Sequence, residues 1–153
     1  MLVSPGNPLK DNSRLPSIGE RIAQVDAVMD HPRIRPTGLE AERGFRYTWQ
    51  TVDFLTTVLP DRRFVWIMGG DNFADFPRWQ RWREIADLVP MAIYARPGTG
   101  LRATQSKAGI LLRRYRIDES DAELLADSHP PAWVFLSGLM SGVSSTQIRA
   151  SRG

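Results

Sequence analysis

The sequence predicts an α/β fold, a doubly wound parallel sheet with helices on both faces that make three layers. Three short apolar runs, at 64–68, 91–95 and 132–136, contain β-branched and aromatic residues and are too short for helices. Such runs are typical of strands buried in a parallel sheet, and the first run is predicted to be buried on both faces. Helical patterns lie between them, and this alternation favours a parallel sheet. The 153 residues predict a single domain over 1–153.

Composition narrows the class of protein. Hydrophobic residues make up 42% and charged residues 24%, as in ordinary globular proteins. The sequence has no apolar stretch long enough to span a membrane and no visible signal peptide, which predicts a cytoplasmic protein. It contains no cysteine, which excludes disulfides and thiolate metal sites. The net charge is +3, and almost all the positively charged residues are arginines. Arginine suits phosphate recognition but is also typical of a solvated surface.

In the first part of the chain, the sequence predicts one well-defined helix between two short strand segments. Residues 1–4 are interpreted as the end of a strand that runs into a loop. Ser17 and Glu20 have the spacing of a capping box, and apolar residues follow at helical intervals up to the His-Pro pair at 31–32. A short strand within 34–40 is confined to a sheet edge by its proline and glycine.

Three further helices are predicted between and after the apolar runs. The pattern opens a helix at 47–48, on the amino-terminal side of the first run. A second helix is predicted over 79–88, and 101–116 contains another with a weaker pattern. A short terminal helix is predicted over 143–149, after the last strand.

The first apolar run ends in a glycine turn that carries an acid. Gly69 and Gly70 stop the strand and allow a tight turn or a close approach to a ligand. Asp71 then lies beyond the carboxyl end of the strand, where open α/β sheets bind ligands. Asp71 is either the N-cap of the next helix or the acceptor for a ribose hydroxyl, and the pattern leaves both interpretations open.

Two tryptophans at helical spacing follow this turn. Trp82 continues an apolar stripe and is predicted to face the core. Trp79 is predicted in the first turn of the helix, near the strand ends, where an indole can stack on an aromatic ring. The neighbouring arginines are predicted to be solvated: Arg78, Arg81 and Arg83.

The end of the chain predicts a phosphate site. Ser144, Ser145 and Thr146 place hydroxyls at a helix N-terminus, where free backbone amides and the helix dipole attract anions. Arg149 lies one turn further on and can form a forked contact with a phosphate. A plain serine cap is the alternative, but the spacing favours phosphate. Lys10 is either an exposed charge or a cation over the same crevice.

Six motifs in order connect these features with a known family. They are PGNPLK (5–10), RYTWQT (46–51), MGGD (68–71), FPRW (76–79), ARPG (95–98) and SSTQIR (144–149). The set resembles bacterial nicotinate-nucleotide adenylyltransferases, members of the nucleotidylyltransferase superfamily, and covers nearly the whole chain. The resemblance implies a Rossmann-like fold and a single nucleotidylyltransferase domain.

The resemblance also implies a reaction and its site. The phosphate of nicotinate mononucleotide attacks the α-phosphorus of ATP, releasing pyrophosphate and forming deamido-NAD, with Mg²⁺ accompanying ATP. Thr146 and Arg149 would stabilise the transition state. The implied ATP contacts are Gly69, Asp71, Arg96, Ser144, Ser145, Thr146 and Arg149. The implied mononucleotide contacts are Lys10, Tyr47, Thr48 and Trp79. No protein residue is predicted as a metal ligand.

One family feature has no counterpart here. Members of the family begin with a strand, a glycine-rich turn and an H-x-G-H pair, whereas this sequence starts at what resembles their second strand. We therefore expect a fold that lacks its first βα unit, with a true start upstream, and a short chain that is impaired in catalysis and stability. Rival interpretations are a nucleotide-binding remnant and a sister enzyme acting on nicotinamide mononucleotide or phosphopantetheine.

The predicted partners are ATP and nicotinate mononucleotide, with neither nucleic acid nor membrane, and the sequence leaves the oligomeric state open. A nucleic-acid binder is disfavoured because no basic cluster with interleaved aromatic residues occurs.

Overall fold

A three-stranded parallel sheet forms the centre of the fold. The computed structural model describes residues 1–6, 13–29, 31–95 and 100–137. Strands β1 (Trp66–Gly69), β2 (Met91–Tyr94) and β3 (Trp133–Leu136) lie in the order β1-β2-β3. Met91 pairs with Trp66 on one side and with Trp133 on the other. The predicted parallel α/β sheet is confirmed.

Helical segments precede the sheet and connect its strands. The α-helices are α1 (Ile18–Val28), α2 (Leu39–Glu42), α3 (Thr48–Val58), α4 (Gly70–Asp75), α5 (Trp82–Leu88), α6 (Gly100–Thr104) and α7 (Lys107–Leu111). The 3₁₀ segments are Phe76–Arg78, Arg113–Tyr115 and Glu119–Asp127. Within the described part of the chain, none of these helices has the length and apolar character needed to cross a membrane.

The sheet has packed residues on both faces because side chains alternate along each strand. Met91 and Ile93 of β2 belong to a core cluster that includes residues of α4, α5 and α7. Ala92 and Val134 point to the other face, where Leu125 of the segment Glu119–Asp127 covers them. The core therefore divides into two layers of side chains on either side of β2 and β3.

The prediction that the first apolar run is buried on both faces was wrong. The strand begins at Trp66 rather than at 64, and the side chain of Ile67 is 72% exposed. Ile93 on the neighbouring strand is fully buried. Strand β2 has a partner on each side, whereas β1 pairs with β2 alone among the described residues. An apolar run encodes a strand, but its neighbours decide how much of it is covered.

The amino-terminal strands are reduced to a single pair. Leu2 and Thr37 form an isolated parallel bridge, so the strands predicted at 1–4 and 34–40 do not extend further. Part of the second range is instead the short helix α2. The capping box of α1 is confirmed, since Ser17 Oγ accepts from the Glu20 amide at 3.3 Å and the Glu20 carboxylate accepts from the Ser17 amide at 2.8 Å.

Two predicted helices are shorter than their patterns suggested. The helix predicted over 79–88 begins at Trp82, because Arg81 has a left-handed backbone with a φ of 55° and breaks the helical path. The range 101–116 contains two short α-helices, and Ser106 caps the second by accepting from the Gly109 amide at 3.1 Å. The terminal helix predicted over 143–149 lies outside the described residues.

Gly109 allows α7 to pack against the end of α6. A Cβ atom at this position would lie 2.3 Å from the Thr104 carbonyl oxygen and 2.8 Å from that of Ala103. Because both obstacles are backbone atoms, we expect Gly109→Ala to lower the free energy of unfolding by about 1–3 kcal/mol in urea titrations. Gly19→Ala in α1 is the control, since nothing lies within 4 Å of its Cβ, and it should raise stability by about 0.5–1 kcal/mol. Equal stabilities for the two variants would contradict this packing.

Candidate functional site

A cavity lies along β1 and reaches the carboxyl end of the strand. Its volume is about 370 Å³. The lining residues come from β1, the end of β2, helix α4 and the turn before α5: Trp66, Ile67, Met68, Gly69, Asn72, Trp79 and Tyr94. Carboxyl ends of parallel strands are where open α/β sheets bind ligands. The cavity is therefore the candidate ligand site.

The structure brings together residues that the sequence analysis selected separately. Gly69 and Trp79 line the same cavity. Asn72 and Tyr94 also line it and were missed, although each carried a signal. Asn72 directly follows Asp71 in the turn, and Tyr94 is an aromatic residue with a polar tip at the carboxyl end of a predicted strand.

The glycine turn leads into a helix without an intervening loop. Gly69 is the N-cap of α4, and Asp71 lies in the first turn of that helix. The N-cap interpretation of Asp71 was therefore wrong, because the helix begins immediately at Gly70. A carboxylate in the first turn is still favourable, since it lies near the positive end of the helix dipole. The interpretation of Asp71 as a ribose acceptor stays a prediction.

Trp79 is fixed on the aromatic core. Its amide donates to the Phe76 carbonyl at 2.9 Å, and its ring packs edge-on against Phe76 with centroids 5.4 Å apart. Phe76 is fully buried and stacks on Phe73, which in turn contacts Trp133 at 4.8 Å between centroids. The indole is half-buried and lies in a turn, not in the helix predicted for it. It is a rigid aromatic surface at the edge of the cavity.

The start of α3 lies beside the Trp79 turn. Tyr47 is the N-cap residue of this helix, and its amide donates to Gln50 Oε1 at 3.0 Å. Tyr47 and Thr48 are not among the residues that line the cavity. The next residue, Trp49, donates from Nε1 to Gln80 Oε1 at 2.9 Å. Helix α3 is thus connected to the residue that follows Trp79.

On the other side of the sheet from β1, a carboxylate holds the carboxyl end of β3. The Glu119 carboxylate accepts from the Ser137 amide at 2.6 Å and also from the Ser137 hydroxyl, directly after β3. These donors hold the pKa of Glu119 below its usual range. In the turn before α5, the hydrogen bond from Arg81 likewise lowers the pKa of Glu84. Both carboxylates are therefore engaged in structural contacts.

Several predicted contacts lie outside the described residues. They are Lys10, Arg96, Ser144, Ser145, Thr146 and Arg149, and their roles stay predictions. Over the ranges that the structure describes, no three histidine or acidic side chains come close enough to hold a metal ion.

The parallel sheet, the glycine turn after β1 and the cavity beside it define an α/β protein with a candidate ligand site next to the carboxyl ends of its strands. A model of the cytidylyltransferase-like family matches residues 1–151, and the chain belongs to this family. The resemblance to nucleotidylyltransferases is therefore confirmed.

Relatives within the family align with nearly the whole length of this chain. A protein of Bradyrhizobium sp. strain BTAi1 is 49% identical over 152 residues, which is 99% of this chain and 79% of the relative. A protein of Cereibacter sphaeroides is 48% identical over 98% of this chain and 79% of its own length. A protein of Brucella suis biovar 1 is 47% identical over 97% and 76%. Each is named "Probable nicotinate-nucleotide adenylyltransferase".

Proposed function

We propose that the protein transfers the adenylyl group of ATP to nicotinate mononucleotide, which yields deamido-NAD and pyrophosphate and serves NAD biosynthesis. The observation that carries the proposal is the placement of Trp79, which is anchored on Phe76 and lines a cavity together with Gly69 at the carboxyl end of the sheet. The shared name of relatives that are 47–49% identical supports it.

The nucleoside parts of both substrates would bind along the cavity. The Trp79 indole would stack on the pyridine ring, and the start of α3, with Tyr47 and Thr48, would flank it. Gly69 has no side chain, so a nucleotide can approach the backbone closely there. Asp71 would accept hydrogen bonds from ribose hydroxyls of the adenosine part.

The phosphates would be aligned by positive charge and hydroxyls. An oxygen of the mononucleotide phosphate forms a bond with the α-phosphorus of ATP as the bond to pyrophosphate breaks. Arg149 and Thr146 would stabilise the charge that develops, because such transfers depend on positioning and electrostatics. The other proposed phosphate contacts are Arg96, Ser144 and Ser145, with Lys10 near the mononucleotide.

Mg²⁺ would enter as part of the ATP complex. This ion keeps several waters and commonly binds substrate phosphates rather than an all-protein cage. When bound, Mg²⁺ neutralises phosphate charge.

We assign residues 1–153 to one nucleotidylyltransferase domain and place the reaction in the cytoplasm.

Pyrophosphate release tests the proposal. The full chain is incubated with ATP, Mg²⁺ and one of three acceptors: nicotinate mononucleotide, nicotinamide mononucleotide or phosphopantetheine. We expect pyrophosphate and deamido-NAD, identified by mass, with kcat/KM highest for the nicotinate compound. Faster turnover of another acceptor would identify a sister enzyme. Binding of both substrates without pyrophosphate would identify a nucleotide-binding remnant.

A further inference from the structure

We propose that Trp49 is a positioning residue for the mononucleotide site, because its indole fixes the turn at 79–81 and so sets the orientation of Trp79. The inference rests on the proposed function for the identity of the ligand. Trp49 was not selected from the sequence, and its role is to hold the site in place rather than to touch the substrate.

The first contact is the hydrogen bond between Trp49 and Gln80. Trp49 Nε1 donates to Gln80 Oε1 at 2.9 Å across 31 residues of sequence. An indole N–H is a donor without acceptor capacity, so its direction is defined by the acceptor it meets. This bond ties the first turn of α3 to the residue after Trp79.

The second contact involves the next residue along the turn. The guanidinium carbon of Arg81 lies 4.1 Å from the centroid of the Trp49 ring, and Arg81 Nε donates to Glu84 Oε1 at 2.8 Å. Arg81 has a φ of 55°, and among the described residues it is the non-glycine residue with a positive φ. Such a conformation persists where its surroundings hold it. The Trp49 ring and the Glu84 carboxylate supply those surroundings.

Trp79 is thus held from both sides in sequence. Phe76 anchors it from the preceding 3₁₀ segment, and Trp49 anchors the two residues that follow it. Trp49 also lies next to Thr48 at the start of α3. One side chain therefore sets the distance between two predicted parts of the mononucleotide site, the stacking indole and the start of α3.

A measurement without ligand tests the mechanical part of the inference. Trp49→Phe removes the N–H and keeps an aromatic ring. We expect the Trp79 indole NMR signal to shift and exchange of the Trp79 amide, which bonds to Phe76, to rise about fivefold. Exchange of the Met91 amide in the sheet should stay unchanged. An unchanged Trp79 signal would overturn the inference.

Ligand binding tests the functional part, with a matched pair of arginine variants. Arg81→Met removes the group stacked on Trp49, whereas Arg83→Met removes one stacked on Trp82 at 4.7 Å. We expect Trp49→Phe and Arg81→Met to raise the Kd of nicotinate mononucleotide about fivefold while the Kd of ATP changes by less than about twofold. Arg83→Met should leave both values unchanged. Equal losses for both ligands would indicate general destabilisation and contradict the proposal.

A double-mutant cycle isolates the hydrogen bond. Gln80→Leu should weaken mononucleotide binding in the wild-type background and have little further effect with Trp49→Phe. Additive effects would contradict the contact. If the wild-type chain binds ATP but not nicotinate mononucleotide, the proposed function fails, and the ligand-free spectra still decide whether Trp49 fixes the turn.

Discussion

Replacing Trp79 with alanine is expected to raise the Kd of nicotinate mononucleotide about 10- to 100-fold, because one aromatic stacking partner contributes about 1–3 kcal/mol. The indole is held against Phe76 at 5.4 Å between centroids and borders the cavity. A preorganised ring loses little entropy when a ligand stacks on it. Calorimetric titration of the full chain with nicotinate mononucleotide measures the effect.

The control for this prediction keeps the ring. Trp79→Phe retains a stacking surface, so its Kd should lie within about threefold of the wild-type value. The Kd of ATP should be nearly the same for both variants. A Trp79→Ala variant that binds the mononucleotide like the wild type would show that the pyridine ring stacks elsewhere and would remove the main support for the proposed function.

Replacing Trp133 with alanine is expected to lower the free energy of unfolding by about 3–5 kcal/mol. The side chain is 1% exposed and contacts Phe73 with centroids 4.8 Å apart. Its Nε1 donates to the Leu112 carbonyl at 2.8 Å. The variant therefore leaves a cavity and removes one of two hydrogen bonds to this carbonyl, which still accepts from the Tyr115 amide at 2.9 Å. The loss is a large fraction of the stability of an ordinary domain, which is about 5–15 kcal/mol.

Urea titration followed by circular dichroism measures this loss, and Trp133→Phe separates its two parts. The phenylalanine variant keeps most of the packed ring but removes one of the two donors to the Leu112 carbonyl, which should cost about 0.5–1.5 kcal/mol. Trp133 packs on Phe73, which stacks on Phe76, and Phe76 supports the Trp79 indole. A folded Trp133→Ala variant should therefore also bind the mononucleotide more weakly. A loss below about 1 kcal/mol for Trp133→Ala would contradict a core built around β3.

Local chemistry made several features predictable from the sequence. Strands β2 and β3 coincide with apolar runs of the sequence. The capping box of α1 depends on two side chains three residues apart. Trp82 was predicted to face the core from helical spacing and is buried. Each of these properties depends on residues that are close together in the chain, so a short stretch of sequence is enough to predict it.

The candidate site was partly predictable for the same reason. Gly69 and Trp79 were selected from a strand, a glycine turn and a nearby indole, and the structure places both on one cavity. Asn72 and Tyr94 were missed because their local signals do not show which side chains point into a shared space. The predicted phosphate contacts near the end of the chain rest on sequence pattern and family resemblance.

Tertiary structure alone decided how these pieces are covered and connected. Ile67 has the sequence environment of a buried strand residue and is exposed, since burial depends on what packs against it. Trp79 lies in a turn because the left-handed backbone of Arg81 interrupts the helical pattern. The bond between Trp49 and Gln80 spans 31 residues. The sequence determined which local elements form, whereas contacts between distant residues set their limits and their positions at the site.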